Sequence, residues 1–347
     1  MRNMIITLLI AALSSVAQSA RTADGHPDFT GTYDIATLTP LVRPTNMADR
    51  PALTDAEAQA LAKVAAERRA ERNQKSDPNR QAPPAGGDGS EGAAGNVGGY
   101  NTLWTDNGTG AFKIEGKWRT SIIVDPPNGR MPQMTPAAAK RAGERARANR
   151  PNRGDAWWIR ENVTPGPYDD PELRPLAERC LLGFGASAGP PAMPVLYNNL
   201  KQIVQTKDTV MILNEMVHDS RLIRINGKHD PPEIRRWLGD SIGRWDGDTL
   251  VVDTTNFNDQ PAFAGASRNL HVIEKFSRID SKTLLYQFTV DDPTVWTRPW
   301  SGELVWPVTE TRIFEYACHE GNYSFANILR GARILEGDAM AAAKPAK

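Results

Sequence analysis

From Thr209 onward the side chains alternate with a period of two between short turns, and no other feature limits the possible folds so strongly. Val210, Ile212, Asn214, Met216 and His218 fall on one side of the first run, with Met211, Leu213, Glu215 and Val217 on the other. Such alternation marks a two-faced extended strand. The run Leu222 to Ile225 ends at Asn226-Gly227, a dipeptide suited to positive φ. Gly243 to Trp245 and Thr249 to Asp253 flank Asp246-Gly247, and His271 to Ile279 and Thr283 to Val290 flank Asp280-Ser281-Lys282. These turns read as hairpins. Thr311 to His319 reads as a further strand. Parallel strands would need helices between them, and none is visible there. The expected fold is mainly β: an antiparallel β-barrel or lipocalin-like meander with a few peripheral helices.

The earlier half of the chain reads differently. Pro27 to Tyr33 looks like a turn entering a first strand. Thr54 and Glu57 form a capping box ahead of Ala58, Leu61 and Ala65, which predicts a helix to about Arg72. Thr135 and Pro136 open a second predicted helix reaching Asn149, and Asn322 to Glu336 predicts a third. Between Asn73 and Gly99 there is almost nothing apolar to bury, so a loop or linker is expected.

Residues 1–20 have the pattern of an export signal. Arg2 precedes the apolar run Met4 to Leu13, which is too short to span a bilayer, and small residues follow to Ala20. The expected organisation is a signal peptide at 1–20, then a strand, helix and linker at 21–99. A β-barrel domain at 100–336 and a disordered tail at 337–347 complete it. A periplasmic or secreted protein is implied, with no membrane insertion after signal cleavage. Cys180 and Cys318 are then expected to pair, because exported thiols meet an oxidising environment. Lysine plus arginine equals aspartate plus glutamate at 41 each, so no net field draws the chain to nucleic acid, and a small-molecule ligand is the expected partner.

Of five histidines, His26 and His229 read as solvated surface. His218, His271 and His319 stand at strand ends beside charged neighbours. Strand parity places His218 with Asn214 and Met216, His271 with Ile273 and Lys275, and His319 with Glu315 and Ala317. Faces that mix polar with apolar groups suit a ligand-lined barrel interior. If the three imidazoles converge, they provide acid–base chemistry near neutral pH with Asp219 and Glu320 as partners. With Glu320 or Asp219 they could instead hold zinc, although no close-spaced histidine pair supports a metal. Trp296 and Trp300 could cover a planar or apolar ligand or simply plug the barrel, while Tyr197 and Tyr323, near the histidine segments, and Asn214, on the His218 face, are further candidates to contact it. Arg221 and Arg298 could each grip a carboxylate. No nucleophile elbow, phosphate loop or dinucleotide fingerprint is present.

The run Gly239 to Phe257, GDSIGRWDGDTLVVDTTNF, resembles an uncharacterised family of exported bacterial proteins. The likeness extends to Glu178-Arg179-Cys180, Tyr197-Asn198-Asn199, Met216 to Asp219, His271 to Glu274 and Glu315 to Tyr323, covering most of the chain after Trp118. It implies export and one contiguous domain and gives no residue a role. Lys201 departs from the pattern, which leads one to expect an uncharged residue. The function that these residues suggest is an exported, cofactor-independent lyase, decarboxylating or eliminating, that acts on a small apolar or aromatic carboxylate inside the barrel. A carrier without turnover and a zinc-dependent hydrolase are the alternatives.

Overall fold

The computed structural model describes residues 20–47, 49–75, 79, 81, 105–150, 154–184, 187, 189–261, 263 and 265–343. Residues 1–19 of the expected leader at 1–20, most of the Pro/Gly-rich stretch and the last residues of the tail lie outside them.

The strands, in chain order, begin with β1 (Gly31–Asp34), β2 (Ala52–Leu53), β3 (Lys113–Ile114), β4 (Lys117–Arg119) and β5 (Ile123–Asp125). Next come β6 (Leu200–Gln205), β7 (Thr209–Asn214), β8 (Ser220–Ile225), β9 (Asp240–Asp246) and β10 (Thr249–Thr255). The last are β11 (His271–Asp280), β12 (Thr283–Asp291) and β13 (Trp300–Pro307). Ten of them form one curled sheet, a half-barrel, in the order β1-β6-β7-β8-β9-β10-β11-β12-β13-β5. A bridge between Tyr33 and Val308 brings the end of β13 back to β1. The remaining three make a small separate sheet, β2-β4-β3. The protein is thus mainly β, and the β9–β10 and β11–β12 hairpins turn at Asp246-Gly247 and Asp280 to Thr283 as their sequence implies.

Three expectations fail locally. First, Asn226 does adopt a left-handed φ of 53°, yet no hairpin follows, because β8 and β9 lie parallel with Ile223 beside Ser241. Residues 226–239 must therefore cross from one end of the strand pair to the other. Second, Thr311 to His319 forms no strand. Two of its amides are taken by side chains instead, Phe314 N by Glu215 Oε1 at 3.2 Å and Tyr316 N by His218 Nδ1 at 3.2 Å. Third, the final helix continues to Ala342, into the stretch expected to be disordered.

The concave face of the sheet is packed solid with rings. On β12, buried Leu284, Tyr286, Phe288 and Val290 alternate with half-buried neighbours. Trp306 lies 4.9 Å from Tyr286, 5.4 Å from Phe276 and 6.3 Å from Tyr33, centre to centre. Trp296 and Trp300 are buried in the same cluster, against Phe263. Full burial of each such side chain contributes about 1.5–3 kcal/mol. The plug reading therefore replaces the ligand-cover reading for Trp296 and Trp300: aromatic volume occupies the space that a ligand would need.

Among the described residues, four α-helices flank this body. α1 (Asp55–Arg72) starts at the Thr54–Glu57 capping box, with Thr54 N donating to Glu57 Oε2 at 2.8 Å. α2 (Pro136–Ala148) is capped by Thr135, whose Oγ1 accepts from Ala138 N. The short α3 (Trp157–Arg160) packs Trp157 and Trp158 against Ala332 of α4 (Tyr323–Ala342), and Trp158 Nε1 donates to Glu336 at 2.7 Å. No helix among the described residues is long and apolar enough to cross a membrane.

Candidate active site

The chain reverses between β7 and β8 in a tight turn. Val217 adopts φ 62°, ψ 8° and His218 φ 53°, two consecutive non-glycine residues in the left-handed region, the first of them β-branched. That conformation costs on the order of 1–3 kcal/mol and persists only where the surroundings enforce it. Here Asn214 donates from both N and Nδ2 to the Asp219 carbonyl, at 2.8 and 3.0 Å. Met216 is fully buried, and its sulfur accepts from Ser187 Oγ at 3.1 Å and Phe184 N at 3.3 Å. With Met216 anchored inward and Asn214 closing the loop, His218 and Asp219 are displayed at the rim.

The opposite wall comes from 311–322, held by the expected Cys180–Cys318 disulfide across 138 residues of sequence. Asn322 Nδ2 adds a bond to the Glu178 carbonyl at 2.8 Å. Between the two walls lies a groove of about 410 Å³ lined by Val217, His218, Asp219, Trp237, Tyr316, His319 and Glu320. A larger cleft of about 710 Å³, containing Tyr197 and Glu215, shares the disulfide and Tyr316 with it. Four of the five predicted catalytic residues thus meet in one groove. Since His218 Nδ1 accepts the Tyr316 amide, Nε2 is the nitrogen left to carry its proton.

Asp219 is the most unusual group there. Its Oδ2 is buried without a hydrogen-bond partner. Burial pushes the carboxyl up to about 6, against a downward pull from the Lys201 charge. Lys201 itself, on β6, is fully buried, and its Nζ donates to the Ser187 carbonyl. Burial lowers the ammonium to about 7, opposed by Glu215 and Asp219.

The third predicted imidazole does not join them. His271 projects from the outer face of β11, where Nε2 lies 3.0 Å from Asp253 Oδ1, and that hydrogen bond raises its proton affinity. Its parity with Ile273 and Lys275 was legible, but that face points away from the packed interior. His229, read as plain surface, completes the outer cluster between Asp240 and Asp253. With the imidazoles divided, the three-histidine zinc site does not assemble, and among the described residues no three His, Cys, Asp or Glu side chains are grouped to hold a metal.

The predicted substrate-binding residues disperse as well. Arg221 is buried in a two-pronged pair with buried Glu274, at 3.1 and 2.6 Å, so it is not free to grip a substrate. Tyr286 OH donates to the same carboxylate at 2.7 Å. Arg298 pairs with Asp125 at the surface. Tyr323 begins α4 and is 80% exposed. Asn214 is buried and shapes the turn rather than facing the groove. Sequence reasoning missed Trp237 and Glu274, and noted Lys201 without giving it a role. Lys201 carried a signal, a lone cation sharing the inner face of β6 with Ile203, both buried.

Compared with known protein families, curated proteins and solved structures, the chain matches none.

Proposed function

We propose that this protein is an exported acid–base enzyme, a cofactor-independent lyase acting on a small apolar or aromatic carboxylate in the groove beside the disulfide. The observation that carries the reading is the partnerless, buried oxygen of Asp219 in a groove shared with His218 and His319. A buried polar atom without a partner is uncommon and calls for one. A substrate hydrogen would supply it.

Elimination is the step this arrangement supports best. Asp219 takes a proton from a carbon next to the substrate carboxylate. The released electron pair forms a double bond and expels the group on the adjacent carbon, and that group leaves with a proton from His218 or His319. Atoms and charge balance without any added electron carrier. Trp237 and Tyr316 line the groove and suit an apolar or aromatic body. The reaction lies at the barrel rim rather than in the ring-filled interior. Export is supported by the leader pattern together with the disulfide, which persists in oxidising compartments. The N-terminal mass of protein recovered from the periplasm or culture medium tests it, an uncleaved leader counting against.

For the chemistry, the purified protein is incubated with a panel of substituted aliphatic and aryl carboxylic acids while ultraviolet absorbance follows new conjugated double bonds. Turnover by the wild type and loss of about 100-fold or more in Asp219→Asn, with the circular dichroism unaltered, is the expected result. Equal turnover in both proteins overturns the reading, and so does a ligand that binds but is recovered unchanged.

A further inference from the structure

We propose that Lys201 is a positioning residue for this groove, a buried ammonium set behind Asp219 to keep that carboxyl charged. The inference rests on the acid–base reading and deepens it, because it names what prepares the base. Lys201 faces Asn214 across the β6–β7 ladder. Asn214 in turn holds the Asp219 carbonyl through two hydrogen bonds. One strand pair and one turn therefore set the ammonium and the carboxyl relative to each other.

A fully buried lysine is costly unless charge or hydrogen bonds compensate it. Nζ bonds a neutral acceptor, the Ser187 carbonyl, which satisfies one of its three donors without offsetting its charge. The carboxylates that act on it are Glu215 and Asp219. Glu215, whose two oxygens accept from the Leu200 and Phe314 amides, acts on the ammonium most strongly. Asp219, whose Oδ2 has no hydrogen-bond partner, is the second carboxylate that acts on it, and the benefit is mutual because the Lys201 charge pulls the Asp219 carboxyl back down.

The neighbouring charges do not replace this partnership. His218 lies next to Asp219 in the turn, and Glu315, His319 and Glu320 face it from the opposite wall. Asp34 on β1 adds negative charge near Glu215. Arg221 of β8 is neutralised by Glu274 of β11. Lys201 is the cation that acts on Asp219.

The test follows the Asp219 side-chain carboxyl carbon by NMR through a pH titration of the wild type, Lys201→Met and Lys201→Arg. Removing the charge raises the Asp219 midpoint by about one pH unit, and arginine returns it toward the wild-type position. An unmoved midpoint in Lys201→Met overturns the proposal. Should that variant fail to fold, the Lys201 side chain is followed in the intact wild type. Titration near neutrality, coupled to that of Asp219, upholds the proposal, whereas an ordinary midpoint of about 10.4 beside an Asp219 midpoint of about 3.9 overturns it. These readouts use no turnover. Failure of the lyase reading, seen in Asp219→Asn, is therefore distinguishable from failure of the Lys201 assignment.

Discussion

His229 and His271 converge on a single oxygen: their Nε2 atoms lie 3.1 and 3.0 Å from Asp253 Oδ1. The other ring nitrogen of His229 lies 3.1 Å from Asp240 Oδ2. The cluster fastens the β8–β9 crossover to the outer face of β9, β10 and β11. It is a clamp on the fold and stands apart from the groove.

Its pH dependence has a defined sign. Hydrogen bonding to Asp253 raises the His271 proton affinity above the ordinary value of about 6.5, and the same bond lowers that of Asp253. The pair stabilises once Asp253 is ionised and is fully effective up to about pH 6.5. Stability is lost as pH rises through the elevated His271 value. Both side chains are about two-fifths exposed, so the effect is a few tenths to about 1 kcal/mol. Urea midpoints at about pH 6 and pH 8.5, compared between wild type and His271→Gln, are expected to converge at the higher pH.

Arg221→Met leaves Glu274 buried without its partner. Breaking a desolvated ion pair from one side costs about 3–5 kcal/mol, whereas replacing both members by apolar groups is far milder. Chemical denaturation of Arg221→Met and of Arg221→Met/Glu274→Leu should show the single variant as the less stable one. The reverse order would mean that the pair is not sealed from water.

The disulfide closes a loop with a sequence separation of 138. Loop-closure entropy alone puts its contribution at about 5 kcal/mol, and measured values commonly run lower, about 2–4 kcal/mol. The double Cys180→Ser/Cys318→Ser protein should lose stability on that scale and become more easily cleaved by trypsin at Arg312, on the wall that the bond secures.

Val217 is held in a conformation that glycine adopts freely. Val217→Gly is expected to relieve about 1 kcal/mol of backbone strain, partly offset by the greater freedom glycine gives the unfolded chain. A thermal midpoint equal to or above the wild type agrees with enforced strain. A marked fall would show that the valine side chain contributes more by packing than its backbone costs.

The fold class and the cysteine pairing were legible because their signals are local or compositional. Period-two alternation and Asp246-Gly247 announce antiparallel strands wherever they occur, and a single pair of cysteines has one arrangement available. The helix starts at Thr54 and Thr135 were readable for the same reason, since capping depends on residues three apart. The parallel step between β8 and β9 was not. Asn226 turns the chain in either topology, and only the partner strand decides which one results.

The groove was partly legible. His218, Asp219, His319 and Glu320 share it, but the criterion that selected them, an interior face of mixed polarity, does not describe where they lie. The same criterion chose His271, which faces outward, while Arg221, singled out instead as a grip for a carboxylate, is consumed by Glu274. Alternation places residues on one side of a strand or the other and does not say which side the core will occupy.

By itself, the order of amino acids determined where strands begin and reverse, which thiols could pair and which helices are capped, because those properties depend on neighbours in the chain. Tertiary structure alone decided that the hollow of the sheet fills with indole and phenyl rings, that Lys201 lies fully buried on β6, and that one imidazole of three faces away. Those outcomes depend on contacts between residues far apart in the chain, as Tyr33 and Trp306 are, where burial and charge are set by whatever the fold brings alongside.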